Sequence, residues 1–144
     1  MSAEENKATI RRFIDGWNNR DWAAVLDTVN DNFVDHAALP GTSPGKDGIV
    51  PGLELFCRAF PDLHFTIENL IAEGDKLAGY GVLTGTNQGE MFGIPPTGKS
   101  IRVESLDLVR FENGKQSEHW GLFDQMGMMV QLGLVPPPGQ PPGA

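Results

Sequence analysis

The sequence predicts an α+β fold in which helices pack against one face of a long antiparallel sheet. Three observations carry this. Apolar residues recur at helical spacing up to Phe60, and they alternate at period two from Leu63 onward. Asn113-Gly114, the strongest hairpin signal in the chain, lies within that second half.

The elements follow in order. Ser2-Ala3-Glu4-Glu5 reads as a capping box, and Ile10, Phe13, Ile14 and Trp17 then fall at i, i+3, i+4 and i+7. Asn18-Asn19-Arg20 ends that helix. Asp21 is placed to cap a second, whose stripe is Trp22, Val25, Leu26 and Val29. Phe33–Ala37 is a short extended piece, followed by a Pro- and Gly-rich loop from Pro40 to Gly45. Asp47 and Pro51 mark the start of a third helix with Leu53, Phe56, Cys57 and Phe60 on its buried side, and Pro61 stops it.

Leu63, Phe65 and Ile67 then alternate with His64, Thr66 and Glu68, as a half-exposed strand requires. Glu73-Gly74-Asp75-Lys76 is a turn, and Leu77 to Thr86 returns as a second strand. Beyond the loop Gly93–Gly98, a third strand runs from Ser100 to Phe111, and the Asn-Gly turn leads into Gln116 to Phe123. A short helix from about Gln125 to Leu132 ends at Gly133. The expectation is one domain over residues 1–135, with a flexible Pro-rich tail over 136–144 that holds five prolines in nine residues. A twisted, curved sheet wrapped around helices leaves a conical hollow, lined by the first helix and the inward strand residues and suited to a small organic ligand.

The 144 residues are 40% hydrophobic and 21% charged, a soluble globular profile. A formal net charge of −8, with the 11 basic residues scattered, argues against nucleic acid and anionic membrane as partners. No run is long enough to cross a bilayer, and Met1–Glu5 lacks the basic and apolar segments of a signal peptide, so a cytoplasmic protein is expected. The single cysteine, Cys57, has no partner for a disulfide or a thiolate metal site. His36, His64 and His119 lack metal-ligand spacing. There is no nucleophile elbow, phosphate loop or dinucleotide fingerprint, and no metal or other cofactor is expected.

Several strings, in this order and spacing, resemble the SnoaL-like polyketide cyclases of the larger NTF2-like group. They are Ala59-Phe60-Pro61-Asp62-Leu63, Ile71-Ala72-Glu73-Gly74-Asp75, Gly93-Ile94-Pro95-Pro96-Thr97-Gly98-Lys99 and Arg110-Phe111-Glu112-Asn113-Gly114-Lys115. The most telling is His119-Trp120-Gly121-Leu122-Phe123-Asp124 with Gln131-Leu132-Gly133 after it. The resemblance spans residues 5 to about 135. It implies cone-shaped subunits assembled as a homodimer or homotetramer. It also implies cofactor-free closure of the last ring of an aromatic polyketide by intramolecular aldol condensation of a methyl ester, with one aspartate as acid/base. By that resemblance the aspartate corresponds to Asp124.

A carboxylate can serve as base and then acid if an apolar setting brings its pKa toward neutrality, and Trp120, Leu122, Phe123 and Met126 surround Asp124 in sequence. Asp124 also stands where a helix begins, so N-capping is its other role, compatible with the first. His119 is the second candidate, as the residue that orients Asp124 or touches a substrate carbonyl. On a regular strand, however, positions five apart face opposite ways, so the pair shares a pocket only through a bulge or a strand end near Gly121.

Asp35 and His36 occupy the place where the similar ketosteroid isomerase branch keeps its general base, and one of the two can face the cavity. Glu104 and Asp107 lie on opposite faces of one strand, so one of them faces inward. Phe13, Trp17 and Trp120 are candidates for lining the cavity or stacking on a flat ligand, against a role in core packing. The leading reading is a cyclase acting on a hydrophobic carbonyl compound. Its rivals are a non-catalytic small-molecule-binding protein and an isomerase or dehydratase led by Asp35.

Overall fold

A computed structural model describes residues 2–139. Helix α1 (Ala3–Asn18) starts where Ser2 accepts the Glu5 N–H at 3.1 Å, and α2 (Trp22–Asp27) starts where Asp21 accepts from Ala24. The second helix stops two residues earlier than its apolar stripe suggests. The Thr28 hydroxyl donates to the Val25 carbonyl at 2.7 Å, and Val29 opens strand β1 (Val29–Asp35) instead of closing the helix. Val29 remains buried, but in a sheet: its partner is Gln116, and tertiary pairing has overridden helical periodicity.

A 3₁₀ turn (Lys46–Gly48) runs into α3 (Ile49–Ala59), which begins two residues before Pro51 and ends ahead of Phe60. Then come β2 (His64–Glu73), β3 (Lys76–Thr86), β4 (Ser100–Glu112), β5 (Lys115–Phe123) and α4 (Gln125–Gln131). At the β4–β5 hairpin both Asn113 (φ 52°) and Gly114 (φ 77°) take positive φ, as a primed two-residue turn demands.

The five strands form one sheet in the order β1-β5-β4-β3-β2. All neighbours are antiparallel except β1, which runs parallel to β5 at the edge. The helices cover one face. Along β4 the odd-numbered residues Ile101, Val103, Val109 and Phe111 are buried under them, while Arg102, Glu104, Leu106 and Leu108 face outward. Phe60, Val25 and Val103 are almost wholly excluded from water and anchor this layer. Among the described residues, no helix is long and apolar enough to cross a membrane. Of the Pro-rich segment expected to be flexible, residues 140–144 lie outside the described residues.

Candidate active site

The helices and the concave sheet face enclose a cavity of about 420 Å³, within the range of small-molecule sites. Phe13 and Trp17 of α1 and Phe65 of β2 help to form its apolar wall, and Trp17 stacks on Phe65 with ring centroids 5.8 Å apart. Among the described residues that line it, none is Lys or Arg.

One region of the wall is polar, and strand register builds it. The parallel pairing of β1 with β5 sets Asp35 beside His119. The antiparallel pairing of β4 with β5 sets Val109 opposite His119 and Asp107 opposite Gly121, so Asp107 lies diagonal to His119 on the inner face. The result is a clamp. His119 Nδ1 lies 2.8 Å from Asp35 Oδ1, and His119 Nε2 lies 2.8 Å from Asp107 Oδ1.

Gly121 makes the diagonal reach possible: a Cβ there would sit 2.5 Å from Asp107 Oδ1 and 2.8 Å from His119 Nε2. Asp107 Oδ2 accepts from the Ser105 hydroxyl at 2.8 Å, which occupies both of its oxygens. Asp35 Oδ1 also accepts the Ala37 N–H at 2.8 Å, whereas its Oδ2 accepts no hydrogen bond among the described residues.

Electrostatics fixes the charges. Burial alone would push His119 down, but its hydrogen bonds to Asp107 and Asp35, with their negative charge, raise it to about 9. At neutral pH it is an imidazolium that donates both N–H groups. Burial pushes Asp35 up, yet the His119 bond and charge, with the Ala37 N–H, outweigh it and hold the carboxyl below its ordinary value. With both aspartates ionised the cluster carries a net charge of about −1 beside apolar walls.

The sequence candidates separate into three groups. Asp35, His119, Phe13 and Trp17 line the cavity. His36 and Trp120 do not: they lie on the opposite sheet face, stacked at 4.9 Å, where His36 Nε2 meets Glu118 Oε2 at 2.8 Å. Glu104 is exposed on that outer face and accepts from the Tyr80 hydroxyl at 2.9 Å.

The placement expected for Asp124 needs correction. It is exposed and caps α4, with Gly127 N–H donating to its Oδ1 at 2.9 Å, and it does not line the cavity. It follows the last residue of β5, and no bulge near Gly121 turns it inward, so it does not meet His119. The structure brings forward residues that the sequence left unassigned, Ser105 and Gly121, and of the Glu104/Asp107 pair it turns Asp107 inward. Asp107 shares its parity with buried Val103 and Val109, a signal present in the sequence.

Residues 7–132 match the family model described as SnoaL-like polyketide cyclase. The chain belongs to that family. Aklanonic acid methyl ester cyclase AcmA of Streptomyces galilaeus is 29% identical over 137 residues, covering 90% of this chain and 91% of that protein. Among solved structures, TsrD from Streptomyces laurentii superposes with a TM-score of 0.86 at 23% identity, covering 94% of this chain and 99% of its own, a likeness of fold. AclR from Streptomyces galilaeus superposes with a TM-score of 0.82 at 28% identity, covering 94% and 85%. The α+β architecture with an NTF2-like curved sheet, expected from the sequence, is thereby borne out for this SnoaL-like chain.

Proposed function

We propose that this chain is a cofactor-independent cyclase that closes a ring in a neutral aromatic carbonyl compound by intramolecular aldol addition, with Asp35 as acid/base. The observation that supports it is the clamped imidazolium: one carboxylate of the cluster keeps a free oxygen on an apolar cavity, and a fixed positive charge lies next to it. Asp35 Oδ2 takes a proton from carbon beside a carbonyl. The enolate carbon attacks a second carbonyl of the same molecule, forming the ring bond. The resulting alkoxide then takes the proton back from Asp35. Substrate and product are isomers, so atoms and electrons balance without a co-reactant.

His119 stabilises the enolate through its charge, and Asp107 is a positioning residue that holds the imidazole. A site of net charge about −1, with no Lys or Arg among the described residues that line it, repels a free carboxylate, which favours an esterified or otherwise neutral ligand. The name of the AcmA relative, an aklanonic acid methyl ester cyclase, is consistent with this reading.

The test is solvent deuterium uptake at the acidic carbon of aromatic β-keto esters. Wild type should catalyse uptake, and Asp35→Asn should lose about 10²–10⁴-fold of it while folding normally. Uptake that survives the substitution removes Asp35 from the role.

We also propose that the chain is a homodimer whose interface is the outer sheet face. Ile71, Leu106 and Leu122 are 70%, 63% and 81% exposed there, beside Leu108 and Trp120, forming a contiguous apolar patch. A monomer mass by sedimentation equilibrium at micromolar concentration would remove this assembly.

A further inference from the structure

A second polar group faces the cavity away from the clamp. Gln116 is only 4% exposed and lines the cavity wall at the start of β5. Its Nε2 donates to Thr28 Oγ1 at 3.1 Å. Thr28 has already committed its own proton to the Val25 carbonyl at 2.7 Å, so its oxygen can only accept. The orientation of the amide is thereby fixed, with the carbonyl oxygen turned away from Thr28. That Oε1 accepts no hydrogen bond among the described residues, and it is absent from the fully enclosed atoms that lack a partner, Asn6 Oδ1 and Trp17 Nε1. It therefore keeps accessible surface, and the accessible space beside Gln116 is the cavity.

The backbone is shaped to put it there. Gln116 and His119 are three apart and would face opposite ways on a regular strand. A bulge at Ser117 corrects this: Gln116 pairs with Phe111 and Glu118 with Arg110, leaving Ser117 as the extra residue. Both Gln116 and His119 consequently face inward. Their partners Phe111 and Val109 are two residues apart on β4, which sets their facing backbone positions about 7 Å apart along the sheet. A lone acceptor in an apolar wall costs free energy unless something donates to it.

We infer that Gln116 Oε1 is a ligand subsite that accepts a hydrogen bond from a hydroxyl on the part of the ligand remote from its reacting carbonyl. It would select phenol-bearing aromatic ketones over their deoxy and O-methyl counterparts. The inference rests on the proposed reading of the cavity as a carbonyl-compound site.

Three probes test it: 6-hydroxy-2-acetonaphthone, its 6-methoxy ether and unsubstituted 2-acetonaphthone, with Kd read by calorimetry. Wild type should bind the hydroxy ketone about fivefold tighter than the unsubstituted ketone, the ratio a single neutral hydrogen bond yields. In Gln116→Met, which keeps the length and loses the acceptor, the ratio should fall to about one. A ratio near one in wild type, or one that survives Gln116→Met, overturns the subsite. If Gln116→Met fails to fold, Thr28→Val replaces it, because freeing the amide to turn over should narrow the gap between hydroxy and methoxy probes. An unchanged gap there counts against the subsite.

Failure of the parent reading looks different. No binding of any probe to wild type removes the cavity reading and the subsite together. An intact hydroxyl preference with deuterium uptake unaffected by Asp35→Asn removes the catalytic reading and leaves the subsite standing.

Discussion

Gly121→Ala is the sharpest probe of the clamp, because it introduces no charge and deletes no contacting group. The new Cβ would lie 2.5 Å from Asp107 Oδ1 and 2.8 Å from His119 Nε2, so the 2.8 Å bond between those atoms must open. His119 is held at about 9 in place of 6.5, which at 1.36 kcal/mol per pH unit corresponds to roughly 3 kcal/mol for the whole clamp. Two carboxylates share that effect, so loosening one arm forfeits on the order of 1–2 kcal/mol, or a few °C in Tm for a chain of this length. The sign follows from the raised pKa. The stabilisation is complete below about pH 6.5, where the unfolded imidazole is also protonated, and it is lost as pH rises through about 9. Thermal unfolding of wild type and variant at pH 6 and at pH 10 should therefore show a gap at the lower pH that shrinks at the higher. NMR titration of His119 should show its pKa falling in the variant. An equal gap at both pH values would mean that the added methyl costs only steric strain and that the clamp holds no charge worth measuring.

Two further outcomes follow from the same geometry. Turnover should be level from about pH 5 to 8 and fall above about 9 as the imidazolium loses its proton; a pH–rate profile rising through about 6.5 would instead identify a free imidazole as the base. Asp124→Ala should cost about 1 kcal/mol of stability by removing the α4 cap, while deuterium uptake stays within twofold of wild type; a collapse of uptake in a folded variant would return Asp124 to the chemistry.

Much of the fold was legible because local and tertiary preferences agree: Ser2, Asp21, the switch of period near residue 60 and the Asn-Gly turn all act where they stand in the chain. Val29 was misread because its apolar spacing fits the α2 stripe and only pairing with Gln116 decides for a strand. The site was legible residue by residue but not as a constellation. Asp35 and His119 are 84 positions apart, and what joins them is the parallel register of β1 on β5, which no local signal specifies. Asp107 was readable from parity, whereas Gln116 was hidden because one extra residue, Ser117, inverts the parity of everything before it on β5. Asp124 carried two readings, and its cap hydrogen bond satisfies the local one.

The clamp also limits the chemistry available to the proposed base. A carboxylate held below its ordinary pKa is a poor base for a simple ketone, since proton transfer to it is far uphill. Two features narrow the gap. Filling the cavity with an apolar ligand expels water and adds to the burial that already pushes Asp35 up, without touching the bonds to His119 and Ala37. And when Asp35 takes the proton, the negative charge passes to the enolate beside the same imidazolium, so the cluster and ligand together keep their charge and the field of His119 stabilises the product of the step. What remains must come from the substrate. The carbon Asp35 deprotonates should be one flanked by two carbonyl groups, and a ligand carrying only one should bind yet exchange its proton orders of magnitude more slowly.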